Sequence, residues 1–413
     1  MKNKMKILAV LLVLVGLVTF EACKKTDDPS PITLVSATAN TIDLNGAAAP
    51  TNVPAGATIK VTFSTNVDAT TATTSNITLV RDYDKFSVPI TVSSAGAVVT
   101  IDPISDLNAG SIFILTLTTG LKSDKGLALT EVIRNFTTEG LFAPSDQIAY
   151  WNFENNTNDV IGTFNATASL TKDLTFVAGR NAAAGKAGSF NGTTTIVEIP
   201  GGEKLMANKD FAISFWVNAN STKEGHFVLG LAAWKGFQFE IAGGSWTALD
   251  KGVKLATQYD LGGIITDAED TWWNAQPNGW QGSTFARDLS GAGGIASYFK
   301  DKWAHVVCTY NSTTKVGSMY VNGLKVRAWD FNLWPNGDAK RGALGVKYAG
   351  NANGNNLAFG FIQGSANRII TDSWADPSDP ANNHFKGLLD DVRIFKRALT
   401  SGEVTLIYNS EKP

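Results

Sequence analysis

Strand-length runs dominate this chain from residue 31 almost to its end. Segments such as Ala57–Ser64, Ala97–Ile101 and Ile112–Thr119 alternate apolar and polar residues, with Gly, Asn, Asp and Ser between them. A period of two places alternate side chains on opposite faces of a β-strand. No segment of helical period competes between residues 31 and 140. Six or more such runs in about 110 residues predict a β-sandwich. Longer runs follow: Ile148–Phe153, Phe211–Val217, Gly236–Ile241, Trp303–Tyr310, Gly317–Gly323, Leu357–Ile362 and Leu388–Phe395. Their number and length predict a second, larger sandwich of two sheets.

Tryptophan marks the boundary. All eleven Trp residues of the 413-residue chain lie from Trp151 onward. The texture changes near Leu141–Gln147, so the boundary is placed at about residue 142. The 35 basic and 37 acidic residues leave a net charge of −2, which offers no general attraction for nucleic acid or an anionic membrane. Two cysteines exclude a disulfide scaffold, and three histidines leave little for a His-based metal site or catalytic relay. Nucleophile-elbow, phosphate-loop, dinucleotide and HExxH patterns are not found in the sequence.

The first twenty residues carry Lys2, Lys4 and Lys6, then the apolar run Ile7–Val18. A charged start and a short apolar run read as an export signal rather than a membrane span. Ala22-Cys23 directly after it resembles the bacterial lipoprotein cleavage box, with Glu21 and Phe20 as departures. That resemblance implies cleavage after residue 22 and lipidation of Cys23. Loss of Lys2, Lys4, Lys6 and Glu21 would take the net charge from −2 to −4. Cys308 would then be the only other cysteine, expected as a buried thiol inside a strand. Residues 23–30 read as a polar tether reaching at most about 25 Å. Its Lys and Asp residues resemble the signal that places lipoproteins on the outer face of the outer membrane. The expected location is therefore an outer-membrane lipid anchor facing the exterior.

Ile59–Asp68, Thr74–Leu79, Val99–Pro103 with Leu107, Leu121–Gly126 and Asn135–Thr138 together resemble a bacterial immunoglobulin-like domain, over residues 31–141. Phe113 stands where that family often has Tyr. Such domains act as spacers, and this segment has no Trp to make a binding platform.

Residues 142–413 resemble the concanavalin A-like lectin/glucanase superfamily in its laminin-G-like branch. The matching residues are Ala187–Gly192, Val197–Pro200, Ile213–Val217, Trp303–Val307 with Tyr310, Met319–Gly323, and Gly387–Val404 with Tyr408. Long insertions at about 245–300 and 366–384 depart from the pattern. Thr400 and Glu403 have the spacing of a capping box for a C-terminal helix. The expected fold class is all-β, an immunoglobulin-like β-sandwich followed by a large jelly-roll sandwich.

That resemblance and the aromatic content of the insertions imply a non-catalytic carbohydrate-binding domain. Glycan binding needs flat apolar rings beside amides and carboxylates, and Trp supplies the ring at low entropic cost. Trp272, Trp273 and Trp280 fall in a Pro/Gly/Asn-rich stretch read as a loop, and Trp329 and Trp334 in another. These five are the candidate glycan contacts, with Asp267, Asp270, Asn274 and Gln276 as polar partners. Trp374 lies in the second insertion. Trp151, Trp216 and Trp303 sit in strand patterns and read as core. Each loop Trp could equally plug the insertion that carries it.

The family resemblance also implies structural calcium at Asp159 and at Asp390 or Asp391, with Glu154 weaker. Carboxylates and carbonyls suit that hard cation. Alternation along 388–395 groups Asp390 with Val392 and Ile394, so one of the pair should face inward and need a cation or buried donors. Catalysis by paired carboxylates on one strand is not indicated: Glu240 stands alone, and Asp267–Asp270 reads as solvated charge. The competing reading is an adhesin or assembly component with a cell-surface protein partner.

Overall fold

The computed structural model describes residues 31–263, 269–275, 282–366 and 368–413. The leader, Cys23, the tether, Asp267, Gln276 and Trp280 lie outside them. The chain divides into two compact units, one drawn mainly from residues up to Thr138 and one mainly from Glu139–Pro413. Among the described residues no helix is long and apolar enough to cross a membrane.

The first unit contains β1 (Leu34–Ala39), β2 (Ile42–Asp43), β3 (Ile59–Phe63), β4 (Ile77–Arg81), β5 (Ile90–Ala95), β6 (Val98–Pro103), β7 (Ile112–Leu117) and β8 (Val132–Thr137). One sheet runs β2-β1-β3-β6-β5 and the other β4-β7-β8. Alternation does what the sequence predicts. Ile59, Val61 and Phe63 of β3 are buried, while Lys60 and Thr62 between them are not. They share a core with Phe113, Leu115 and Leu117 of β7. Phe113 stacks on Phe136 with ring centres 5.7 Å apart, a contact that needs no hydroxyl.

The second unit begins with β9 (Gln147–Trp151), β10 (Thr171–Lys172), β11 (Thr175–Ala178), β12 (Lys186–Asn191), β13 (Ile196–Ile199), β14 (Phe211–Ala219), β15 (His226–Leu231), β16 (Phe237–Ile241) and β17 (Val253–Thr257). It continues with β18 (Tyr259–Asp260), β19 (Glu269–Trp273), β20 (Ser283–Ala286), β21 (Trp303–Asn311), β22 (Val316–Val321), β23 (Leu324–Asp330), β24 (Gly345–Val346), β25 (Leu357–Phe359) and β26 (Lys386–Phe395). Two helices, α1 (Ala296–Phe299) and α2 (Ser401–Glu411), complete it.

A nine-stranded sheet runs β11-β12-β26-β14-β21-β22-β23-β20, with β9 also paired to β26. A seven-stranded sheet runs β10-β13-β25-β15-β16-β17-β19. Ile213, Phe215 and Val217 of β14 share one core with Phe237, Phe239 and Ile241 of β16. Burial of that many large apolar side chains is the main stabilising term, about 1.5–3 kcal/mol each. Cys308 of β21 belongs to this core and is a free, buried thiol, its pKa pushed up by burial.

The outer face of the nine-stranded sheet is closed by α2. Trp216 of β14 stacks on Tyr408 at 5.9 Å. The helix starts where the sequence predicts: Thr400 Oγ1 accepts from Glu403 N, and Glu403 accepts from Thr400 N. Trp151 and Trp216 are buried, and Trp303 is half-buried at the start of β21.

Two expectations about loops are corrected. Glu269–Trp273 is the last strand of the seven-stranded sheet, paired along its length with β17. Its Thr-Trp-Trp sequence has high β-propensity, and Val253–Thr257 offers a complementary strand. Trp329 lies in β23 rather than in the loop that follows it.

Candidate functional site

The outer face of the seven-stranded sheet is assembled from residues that alternate with the core. In β16 the core takes Phe237, Phe239 and Ile241, which turns Gln238 and Glu240 outward. In β17 it takes Val253 and Leu255, turning Lys254 and Ala256 outward. Trp273 of β19 goes to the core, so Asp270 and Trp272 face out. Register aligns these residues across strands. Phe227, Glu240, Lys254 and Trp272 stand opposite one another on β15, β16, β17 and β19. A parallel row runs Glu198, Ala358, Gly230, Gln238, Ala256 and Asp270.

Lys254 is the hub of the first row. Its ammonium is 3.0 Å from Glu240 Oε1, 3.4 Å from Asp270 Oδ2 and 5.1 Å from the centre of the Trp272 ring. Glu240 also accepts from Gln238 Nε2 at 3.0 Å. Burial raises the Glu240 carboxyl above its usual range, with Lys254 opposing that shift. The other amide atom, Gln238 Oε1, is buried without a hydrogen-bond partner. An unmatched buried acceptor costs about 1–3 kcal/mol, so it marks a place where packing is not the whole design. Trp272 is half-buried and the Asp270 side chain is 41% exposed, so this end of the face meets solvent.

A second aromatic group lies over the other end of the first row. Trp374 packs edge-on against Phe227 at 6.2 Å, and Trp234 lies 5.3 Å from Trp374. Trp374 packs against a small apolar cluster of Ile196, Phe227, Ala233, Ala358, Phe361 and Ile362. Trp374 Nε1 donates to Asp372 Oδ2 at 3.2 Å. Its loop is tied by Gln363 Nε2 to the carbonyls of Ile370 and Ala375, and by Asn382 Nδ2 to those of Ser373 and Asp376. Ala232 and Ala233, just before Trp234, both have left-handed backbone, with φ of 57° and 50°. Neither Trp234 nor Gln238 and Lys254 was singled out by sequence. Only the period of two in Phe237–Ile241 hinted at the outward pair.

The five predicted glycan contacts separate. Trp273 and Trp329 are corrected to core residues: they are 0% and 1% exposed, and a ring with no free face cannot stack on a sugar. Trp273 Nε1 donates to Arg287 O at 2.8 Å. Trp329 fits only because Gly317 opposite it has no side chain, since a Cβ there would overlap the indole. Trp334 is half-buried with the Lys340 ammonium 4.3 Å from its ring centre. Trp272 is on the outer face described above, and Trp280 is outside the described residues. Of the polar partners, Asp270 joins Trp272 there. Glu269, within the stretch read as solvated charge, pairs with Lys340 at 2.8 Å.

The predicted calcium ligands all make bonds within the protein. Asp159 is buried and accepts from the backbone N–H groups of Tyr150, Ile161, Thr163 and Phe164 at 2.8–3.0 Å. Asp390 and Asp391 meet Arg180 at 2.7 and 2.5 Å, and Arg180 also lies 3.4 Å from Glu411. Arg393 adds contacts to Glu411 at 2.8 Å and Asp391 at 3.4 Å. The expected alternation is corrected as well. Asp391 has φ of 47°, and the register against β14 shifts between Arg393 and Asp390. The bulge turns both carboxylates outward toward the guanidinium groups. Among the described residues, no group of three His, Cys, Asp or Glu is gathered as a metal site.

A cleft of about 300 Å³ adjoins this ion cluster, lined by Tyr150, Asn152, Glu154, Arg180, Asn181 and Asp391 among others. The Tyr150 hydroxyl donates to Asp391, and Asn181 Nδ2 is bonded to the carbonyls of Glu411 and Lys412. Its remaining walls are Leu141, Ala183, Ala184, Gly185, Ser410 and Glu411, so Tyr150, tied to Asp391, is the one aromatic ring in its lining.

No curated protein matches the chain. Among solved structures it is similar to the binding domain of Paraclostridial Mosquitocidal Protein 1, at 17% identity and a TM-score of 0.42, over 64% of this chain and 52% of that one. It is similar to domain 4 of AbnA, a GH43 extracellular arabinanase from Geobacillus stearothermophilus solved with arabinotriose, at 17% identity and a TM-score of 0.37, over 64% and 98%. It is also similar to the ligand-binding domain of botulinum neurotoxin serotype D, in complex with N-acetylneuraminic acid, at 14% identity and a TM-score of 0.40, over 64% and 51%. The match thus spans about half the length of the first and third of these chains. Residues 35–138 match the model of the bacterial Ig-like domain, and the N-terminal sandwich is a domain of that family.

Proposed function

We propose that this chain is a non-catalytic, cell-surface lipoprotein whose larger sandwich binds carbohydrate, with the Ig-like domain as its spacer. One observation carries the reading. Trp272, with solvent access at the sheet's last strand, stands beside a carboxylate, an ammonium and a second carboxylate on the face turned away from the core. A flat ring beside fixed hydrogen-bonding groups suits the C–H face and hydroxyls of a sugar. The same geometry argues against hydrolysis. Lys254 engages both Glu240 and Asp270, so neither carboxylate stands free for an acid or nucleophile role.

The test is retention of the purified protein by a panel of immobilised polysaccharides, with reducing-sugar release assayed in parallel. Retention without release, weakened in Trp272→Ala, supports the reading. Capture of a protein partner with no glycan retained overturns it in favour of an adhesin. Cys23→Ala should abolish fatty-acid labelling, and protease shaving of intact cells should remove the wild-type protein if it faces outward.

A further inference from the structure

The Trp234–Trp374 pair and Trp272 occupy one face of one sheet, at opposite ends of an aligned row. Phe227, Glu240, Lys254 and Trp272 are mutually opposite on four neighbouring strands. Three strand spacings separate the ends, about 14 Å. Trp374 rests on Phe227 at the near end, 6.2 Å between ring centres, and Trp234 extends that aromatic surface outward. Between the ends the row consists of Glu240 and Lys254, buried and paired with each other, with Gln238 buried beside them in the adjacent row and its Oε1 unpartnered.

The near end is built to present rings. Trp234 is 36% exposed, so its ring meets solvent. It follows two consecutive alanines in left-handed backbone, a conformation costing about 1–2 kcal/mol per residue for a non-glycine. Trp374 is fixed by its bond to Asp372 and by a loop tied through Gln363 and Asn382. Dense bonding holds the Trp374 indole at the surface, and the Trp234 ring packs against it. Preorganised rings of this kind lose little entropy when a ligand stacks on them.

Resting on the glycan-binding reading above, we propose that Trp234 and Trp374 form a second stacking station. The ligand is a glycan chain long enough to lie across the sheet from that pair to Trp272. A single sugar ring cannot bridge about 14 Å, so the site selects chains over monosaccharides. Avidity from two linked contacts replaces strong affinity at either one.

The experiment is calorimetric titration with soluble arabinan, xylan, mannan, mixed-linkage β-glucan and dextran. Any polymer that binds is then compared with its fragments from monosaccharide to hexasaccharide. Wild-type affinity should climb with chain length and then level off. Trp234→Ala, which removes a surface ring and leaves the core intact, and Trp374→Ala should each weaken polymer binding about tenfold or more. Both should leave the binding of the shortest fragments close to wild type. Trp374→Phe, keeping an apolar ring on Phe227, serves where Trp374→Ala lowers the melting temperature. Polymer affinity unchanged in folded Trp234→Ala and Trp374→Phe, while Trp272→Ala loses it, overturns the second station and leaves the glycan reading standing. A monosaccharide bound as tightly as its polymer overturns the chain-length selection. Failure of the wild-type protein to bind any probe overturns both readings.

Discussion

Lys254 stands directly across from Trp272, its ammonium 5.1 Å from the ring centre and 3.0 Å from Glu240 on the other side. A buried cation with a buried carboxylate partner is costly to break from one side, because the charge left behind has no counterpart. Lys254→Met should destabilise the larger unit by about 3 kcal/mol. Adding Glu240→Gln should recover part of that loss, since it removes the stranded charge. Urea denaturation of the two variants and the wild type measures both effects, and a double variant no more stable than Lys254→Met would contradict the pairing.

Stability and binding should separate among the tryptophans. Trp273→Ala and Trp329→Ala empty core sites and are expected to cost about 3–5 kcal/mol. Gly317→Ala should unfold the β22–β23 region for the converse reason, a methyl group driven into the Trp329 indole. Trp272→Ala should lie within about 1 kcal/mol of wild type by thermal or chemical unfolding, with its effect confined to glycan retention.

Asp159 closes its loop by accepting from the chain's own backbone. Its carboxylate takes four backbone N–H groups, so Asp159→Ala would leave buried donors unmatched and cost about 3 kcal/mol or more. The loss should be the same in EDTA and in added calcium. A wild-type melting temperature that falls on chelation would show that an ion contributes after all.

His226 gives a pH dependence of known sign. Nε2 donates to Lys223 O at 3.0 Å and Nδ1 accepts from Lys386 N at 3.3 Å, a pattern that requires the neutral ring. Burial lowers its pKa to about 4, and the nearby Lys251, Lys223 and Lys386 add to that. The folded pKa lies below the unfolded value near 6.5, so the unfolded chain takes up the proton first. This contribution is present above about pH 6.5 and is lost as pH falls toward 4. His226→Gln keeps a donor and an acceptor but cannot titrate. Its stability curve should be shallower than wild type by about 1.4 kcal/mol per pH unit in that window. Parallel curves would rule the assignment out.

Thr400→Ala should cost about 1 kcal/mol through loss of the α2 N-cap, read by denaturation.

Local pattern carried the sequence reading a long way where one physical rule governs. The period-two runs named strands that the structure contains, and the capping box at Thr400 and Glu403 is formed as spaced. Local pattern is not enough where one signal has two tertiary outcomes. The Thr-Trp-Trp stretch looked like loop by its Pro, Gly and Asn neighbours, yet β17 supplied a partner and made it strand. Simple alternation would have split Asp390 from Asp391, but one bulge residue with positive φ turned both toward Arg180, more than 200 positions away in sequence.

By itself the sequence determined the all-β class, the Ig-like segment and the concentration of tryptophan in the second unit, because each depends on residue type and short-range spacing. Only the tertiary structure decided which tryptophans are core and which meet solvent, and that Phe227, Glu240, Lys254 and Trp272 share one row. Strand register sets those neighbours. A shift of one residue would send every side chain on a strand to the opposite face.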